Sequence, residues 1–414
     1  MINFVSRRVG PATVIAIAVI AATAVRADDR HHDGDDNRYV VTNLVSDIPI
    51  KGMNPTIDQH LKNAWGVTFS PGASPFWISD NAAGLATLYD GDGTIVSLAS
   101  PSGGVTIPCP PTPPGAGQGS SCPPNTVPPI IAAPTGTVWN PTTAGFLVPN
   151  TTPPAPPSRF IFATEDGTIS AWASGPAATI AVNNATVPNA TNGAVYKGLA
   201  VGVNINGVTV NGGTSPTFVF LYATNFRAGT IDVFDAGFNQ VTPGTPGKID
   251  GNFTDADIPP GYAPFGIQNI NGDLFVTYAK QNATKHDDDA GKGRGFVDVF
   301  DTDGHLLRRF ASRGALNSPW GVARASFAFG RFSGDILVGN FGDGRINVFD
   351  SDGNFLGQLR DTNGKPISID GLWTLTLGGG AKSSQDTMYF TAGPNSETDG
   401  LFGTITPAQD IDDN

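Results

Sequence analysis

The stretch "GDGRINVFDSDG", residues 342–353, decides the fold. It reads as a glycine turn, a short strand ending in Phe-Asp, and a second turn. Nearly the same phrase occurs as "GTIDVFDAGF" at 229–238 and as "RGFVDVFDTDG" at 294–304. Apolar and polar residues alternate with period two in "IDVFD" and "INVFD", the mark of a half-buried strand. The flanking Gly, Asn and Asp are the residues of tight hairpins.

Working outward, each phrase sits inside a longer unit. "NAWGVTFS" (63–70) precedes "PFWISDNAAGLATLYDGDG", "APFGIQNI" (263–270) precedes "GDLFVTYAKQ", and "SPWGVARA" (318–325) precedes "GDILVGNFGDGRINVFDSDG". A unit therefore opens with an aromatic-Gly strand and closes on Asp-Gly before a fourth strand such as "FLGQLR" (355–360). Weaker copies occur at 160–173, 198–235 and 371–407, which makes six units of four antiparallel strands. A four-stranded unit cannot bury both faces alone, and a ring of such units removes the open ends. The expected fold is all-β, a six-bladed β-propeller over residues 38–408. The sixth unit runs out after three strands, so "RYVVTNLV" (38–45) is expected to supply its outer strand and close the ring.

The remaining segments read as additions. Residues 1–27 carry Arg7 and Arg8, an apolar run and a small-residue site at Val25-Arg26-Ala27, the pattern of a signal peptide. Residues 28–37 read as a disordered acidic leader and 409–414 as a tail. The chain is therefore expected to be secreted or periplasmic, with the export route (Sec or twin-arginine) left open. Residues 101–135 read as a Pro-rich loop insertion, and 282–295 as a long hairpin insertion in the fourth blade. In an exported chain Cys109 and Cys122 are expected to form a disulfide that clips the first of these. Signal cleavage removes three arginines and no acid, taking the net charge from −12 to −15. That excludes nucleic acid and anionic membrane surfaces as natural partners. The acids are nearly all Asp; only Glu165 and Glu397 are Glu.

The units "NAWGVTFS…FWISDNAAGLATLYDGDG", "YAKQNATKHDDDAGKGRGFVDVFDTDG" and "GALNSPWGVA…GDILVGNFGDGRINVFDSDG" resemble a family of secreted bacterial proteins related to NHL-type six-bladed propellers. The resemblance covers most of residues 40–407 and implies fold and export rather than a reaction. More distant propellers of this kind include calcium-dependent lactonases and amidating lyases, from which no residue is carried over.

In a propeller, the loops entering the inner strands and the hairpins between strands two and three open on one face. Those positions hold Asn63, Asp80, Asn81, Glu165, Asp166, Asn225, Arg227, Lys280, Gln281 and Asn340, with Trp65, Phe265, Trp320 and Trp373 nearby. Polar groups from several blades rimmed by aromatics suit a small-molecule, glycan or peptide ligand. The competing reading is structural: Asp and Asn cap hairpins, and aromatics repeated in every unit signal blade packing. Non-repeated residues stand out, and Glu165 with Lys280 is the candidate acid–base pair or salt bridge. An alternative function is a calcium-dependent hydrolase or lyase with the metal held by Asn81, Glu165, Asn225 and Asn340. The Asp-Gly-Asp, Asp-Thr-Asp and Asp-Ser-Asp hairpins at 90, 301 and 350 lack a downstream bidentate Glu and read as turns. The run His286-Asp287-Asp288-Asp289 is either a metal loop or a solvated charge run. No G-x-S-x-G turn or H-E-x-x-H pair is present. The expected molecule is a monomeric binding protein, not inserted in a membrane once the signal is removed.

Overall fold

A computed structural model describes residues 37–408, apart from 73, 99–102, 111–131, 190, 204–218 and 247. The expected signal peptide, most of the acidic leader, the tail and Cys122 with its expected bridge to Cys109 lie outside the described residues. Strands β1 (Tyr39–Ser46) and β2 (Thr56–Ile57) precede the first blade. Blade 1 is β3 (Ala64–Thr68), β4 (Phe76–Asp80), β5 (Leu85–Tyr89) and β6 (Val105–Thr106). Blade 2 is β7 (Pro134–Trp139), β8 (Phe160–Thr164), β9 (Thr168–Trp172) and β10 (Thr179–Asn183). Blade 3 is β11 (Tyr196–Val203), β12 (Val219–Asn225), β13 (Thr230–Phe234) and β14 (Gln240–Val241). Blade 4 is β15 (Tyr262–Ile270), β16 (Asp273–Lys280), β17 (Gly295–Phe300) and β18 (Leu306–Ser312). Blade 5 is β19 (Pro319–Arg324), β20 (Ile336–Asn340), β21 (Ile346–Phe349) and β22 (Phe355–Gln358). Blade 6 is β23 (Leu372–Leu377), β24 (Met388–Ala392), β25 (Leu401–Pro407) and the returning β1, with β2 parallel at its edge. The stretch 101–135 is therefore not all loop: it carries the outer strand of blade 1 and the start of β7, because both pair to existing sheets.

The inner strands touch in the cycle β3, β7, β11, β15, β19, β23 and back to β3, so the ring is closed. Closure is made by β1, which pairs antiparallel with β25 from Tyr39↔Pro407 to Ser46↔Leu401. Hydrophobic layers lie between neighbouring blades; Leu337, Ile346 and Val348 of blade 5 meet Leu372, Leu375 and Phe390 of blade 6. The repeated phrase exists because each blade presents the same packing face to the next.

One irregularity recurs in all six blades. Pairing of the inner strand with the second slips at Ala64/Val67, Pro134/Thr137, Tyr196/Leu199, Pro264/Ile267, Pro319/Val322 and Leu372/Leu375. The bulged pairs are Trp65-Gly66, Thr135-Gly136, Lys197-Gly198, Phe265-Gly266, Trp320-Gly321 and Trp373-Thr374. A bulge frees one residue from the ladder and re-aims it. In five of the six blades glycine follows, because the next blade's backbone is too near for a side chain; blade 6 has Thr374 there. A Cβ on Gly266 would lie 2.1 Å from the Trp320 carbonyl oxygen, and one on Gly321 2.4 Å from that of Trp373.

The bulged aromatics meet across the axis. Trp373 stacks on Trp65 at 3.5 Å and on Phe341 at 4.0 Å, while Trp320 meets Trp65 edge-on at 6.2 Å. Phe265 of blade 4 reaches Trp373 of blade 6 at 5.9 Å, although those blades are not neighbours. These rings, with Phe226, form one buried cluster that closes the axis. The repeated aromatics thus pack at the centre of the ring rather than at the blade interfaces. Among the described residues no helix is long and apolar enough to cross a membrane.

Candidate functional site

Lys197 is the charged member of the bulge series. It stands where four blades place an aromatic and blade 2 places Thr135, so β11 delivers an ammonium to the axis. Its side chain is only 2% exposed. Nζ donates to Glu165 Oε1 and, at 3.3 Å, to Asp287 Oδ1. It lies 5.1 Å from the Trp65 ring centre and 5.9 Å from that of Phe226. A cation this desolvated requires such partners. Burial pulls its pKa down, but the Glu165 and Asp287 carboxylates outweigh burial, and the net shift is upward. The ammonium is charged at neutral pH.

From Lys197 a hydrogen-bonded chain crosses the mouth in both directions. Asn81 Nδ2 donates to Glu165 Oε2 at 3.0 Å, and Asn63 Nδ2 donates to Asn81 Oδ1 at 3.2 Å and to Glu397 Oε2 at 2.8 Å. Trp373 Nε1 donates to Asn63 Oδ1 at 3.0 Å, which ties the chain to the aromatic layer below. On the other side His286 Nδ1 lies 2.8 Å from Asp287 Oδ1. Burial opposes ionisation of Asp287, but His286 and Lys197 reverse this and hold its carboxyl below the usual range. An ionised carboxylate only accepts, so Nδ1 carries the proton. The chain Glu397, Asn63, Asn81, Glu165, Lys197, Asp287, His286 draws on blades 6, 1, 2, 3 and 4.

The only two glutamates of the sequence converge here. Glu397 arrives on the β24–β25 connection, where Asn395, Ser396 and Glu397 all adopt the left-handed region with φ of 55°, 57° and 65°. Such strain costs about 1–3 kcal/mol per residue and persists only where neighbours impose it. Asp370 Oδ2 accepts the Asn395 backbone N–H at 2.8 Å, and Asp399 Oδ2 accepts its side-chain amide at 2.6 Å. Burial, aided by the nearby Glu165 charge, raises the Glu397 carboxyl to about 7.

That value sets a pH-dependent cost. Between about 4.3 and the raised value the folded state keeps a proton that the unfolded state has lost. Stability from this group therefore falls as pH rises through that window, is fully lost above about 7, and is intact below about 4. Glu397→Gln is expected to stabilise the protein by about 1–3 kcal/mol at alkaline pH and by almost nothing near pH 4.5. Urea unfolding at both pH values checks this; a difference that does not change with pH would contradict it.

The expected site residues divide into two groups. Asn63, Asn81 and Glu165 come together, resting on Trp65 and Trp373 of the aromatic layer, which also holds Phe265 and Trp320. Asp80, Asn225 and Asn340 instead latch their own hairpins. Asp80 Oδ2 accepts the Thr87 N–H at 2.9 Å, and burial holds this carboxyl well above the usual range. Asn225 Nδ2 donates to Asp232 at 3.0 Å, and Asn340 Nδ2 donates to Asp343 Oδ1 at 3.0 Å and to the Ala315 carbonyl of the connection before β19 at 2.9 Å. The four-residue calcium set is thus not assembled, since two members are spent on turns. Asp166 accepts the Ala133 N–H at 2.7 Å, Arg227 donates to the Gly193 carbonyl at 3.1 Å, and Gln281 donates to the Arg227 carbonyl at 3.3 Å.

Lys280 pairs with Asp289 at 2.8 Å and does not meet Glu165. Its strand runs two residues past the equivalent position, so the expected Glu165–Lys280 pair is replaced by Glu165–Lys197. The run 286–289 is not simply a solvated face. His286 is buried, Asp287 engages Lys197, and Asp289 bonds Lys280 and Arg294. Glu165, His286 and Asp287 each offer one donor atom within 4.8 Å of the others, a spacing compatible with a metal. Two of those three already bond the Lys197 ammonium, which stands as the cation of the cluster. The Asp301 and Asp350 turns are turns: each Oδ1 accepts two backbone N–H groups of its own hairpin.

No family model matches the chain. It is 37% identical over 219 residues to an uncharacterized protein of Acanthamoeba polyphaga mimivirus, covering 52% of this chain and 53% of the relative. A second uncharacterized protein of that virus is 34% identical over 251 residues, 60% of this chain and 42% of the relative. The chain spans about half the length of the curated relatives it matches. Among solved structures it is similar to a gluconolactonase from Xanthomonas campestris, with TM-score 0.46, 13% identity, and 84% and 87% of the two chains covered. Virginiamycin B lyase from Staphylococcus aureus gives TM-score 0.45 and 13% identity over 89% and 99%. The class is therefore a six-bladed β-propeller; the narrower resemblance to a secreted bacterial family finds no support in relatives that are viral.

Proposed function

We propose that the chain is an extracytoplasmic propeller that binds a small amine-bearing molecule, such as a peptide N-terminus or an amino sugar at a glycan end, at the polar mouth. One observation carries this reading: five blades converge on a single buried ammonium and leave one ionised carboxylate open to solvent. Asp287 has a side chain 59% exposed, whereas those of Lys197, Glu165 and His286 are 2%, 10% and 6% exposed. A rigid acceptor backed by a fixed network suits a hydrogen-bond donor, and a net charge of −12 favours the approach of a cation. Among the described residues the Trp65 and Trp320 indole nitrogens and His286 Nε2 are buried without a hydrogen-bond partner.

The test is calorimetric titration with trialanine and glucosamine, against N-acetylglucosamine as the amine-blocked counterpart. The amines are expected to bind, and Asp287→Asn to weaken them about tenfold or more. Equal binding of the blocked sugar, or indifference to Asp287→Asn, would overturn the reading. A second reading, a calcium-dependent hydrolase or lyase, rests on the Glu165, His286 and Asp287 spacing. Stoichiometric calcium in the purified chain, lost in Glu165→Gln, would put it first.

A further inference from the structure

The aromatic layer has a second side. Two positions past each bulge the inner strands carry Thr68, Val138, Ala200, Gln268, Ala323 and Thr376. All six are small or uncharged, in contrast to the ring of large residues above them. Five of the six line a cavity of about 330 Å³, rimmed by Phe69, Trp139 and Asn269. Its volume equals on the order of eleven waters and falls at the lower end of the range for small-molecule sites. No residue of the aromatic cluster or of the Lys197 network is among those lining this chamber.

The lining selects the ligand. Among the described residues it contains no Asp, Glu, Lys, Arg or His, so a charged guest would lose its hydration without a counter-charge. Thr137 and Thr376 donate their hydroxyls to the Ile161 and Leu377 carbonyls, so a purely apolar guest would chiefly deprive the Thr68 hydroxyl and the Gln268 amide of partners. Thr68 Oγ1 accepts the Trp139 N–H at 3.1 Å, which leaves its own hydrogen to donate. The Asn269 amide is committed to Val201 and Gly272, whereas the Gln268 side chain is exposed. Thr and Gln both donate and accept, as ligand hydroxyls do, and the Trp139 and Phe69 rings suit the C–H face of a saturated ring. We propose that this chamber is a second binding site, for a neutral polyhydroxylated molecule of one or two sugar rings.

Glucose and maltose, titrated separately into the full chain and followed by tryptophan fluorescence and calorimetry, test this. Saturable one-to-one binding of at least one sugar is expected, indifferent to salt. Gln268→Leu should weaken it about tenfold, with an unchanged melting temperature, and Ala200→Trp should abolish it by filling the chamber. No saturation by either sugar up to about 50 mM, or full binding in both variants, overturns the proposal. Should Ala200→Trp fail to fold, Gln268→Leu decides alone, because its side chain is exposed and carries no packing role.

Discussion

Removal of residues 38–46 is expected to lower the melting temperature by about 10 °C or more and to broaden the transition. The deletion takes away β1, whose register against β25 runs through seven residue pairs. It also removes Tyr39 and Val45, which are 1% and 0% exposed. Each such side chain is worth about 1.5–3 kcal/mol and each ladder bond about 0.5–1.5 kcal/mol, which together approach the whole stability of an ordinary domain. Tyr39 further donates its hydroxyl to the Phe329 carbonyl at 3.0 Å and stacks on that ring at 4.8 Å, so the strand also holds blade 6 to blade 5. Without it β25 becomes an open edge and blade 6 a three-stranded sheet. Differential scanning calorimetry of the deletion beside the parent chain reads the result; superimposed transitions would show that the ring closes by other means.

Lys197→Met is expected to cost about 3–5 kcal/mol near neutral pH. The substitution keeps the stem and deletes the charge, leaving Glu165 and Asp287 facing each other without a cation. Asp287, which Lys197 helps to hold below the usual carboxylate range, would then titrate at higher pH, so the deficit should shrink as the solution is acidified. Adding Glu165→Gln to the variant should recover much of the loss, since a matched removal costs less than an orphaned charge. Denaturant unfolding of the single and double variants measures this. A single variant within about 1 kcal/mol of the parent would mean the ammonium is not structural.

The ring was legible in the sequence because strand and turn chemistry recur at spacing. "GDGRINVFDSDG" and its copies give period-two strands, and the orphan run at 38–45 has one place to go in a closed ring. The site was less legible, because it depends on what each blade does differently. Asp80, Asn225 and Asn340 look like ligands by type, yet each is tied to its hairpin, and the two amides also bond the segments before the inner strands of their blades. Lys197 carried a readable signal: it precedes Gly198 as Trp65, Phe265 and Trp320 precede Gly66, Gly266 and Gly321. An alignment on the glycine, rather than on the aromatic, exposes the substitution of a cation for a ring. Glu397 could be singled out only as the second glutamate, since its position depends on a strained turn that composition does not reveal. The insertion at 282–295 hid its role because nothing in a long acidic hairpin tells that His286 folds inward.

The central claim is that a lysine ammonium, and no metal, holds the mouth together. Anomalous diffraction from crystals grown with manganese, a fair stand-in for calcium at oxygen ligands, tests it most directly. The account predicts continuous density from Lys197 Nζ to Glu165 and Asp287, with no anomalous peak between them. A peak within coordination distance of Glu165, His286 and Asp287, with the lysine turned away, would contradict it.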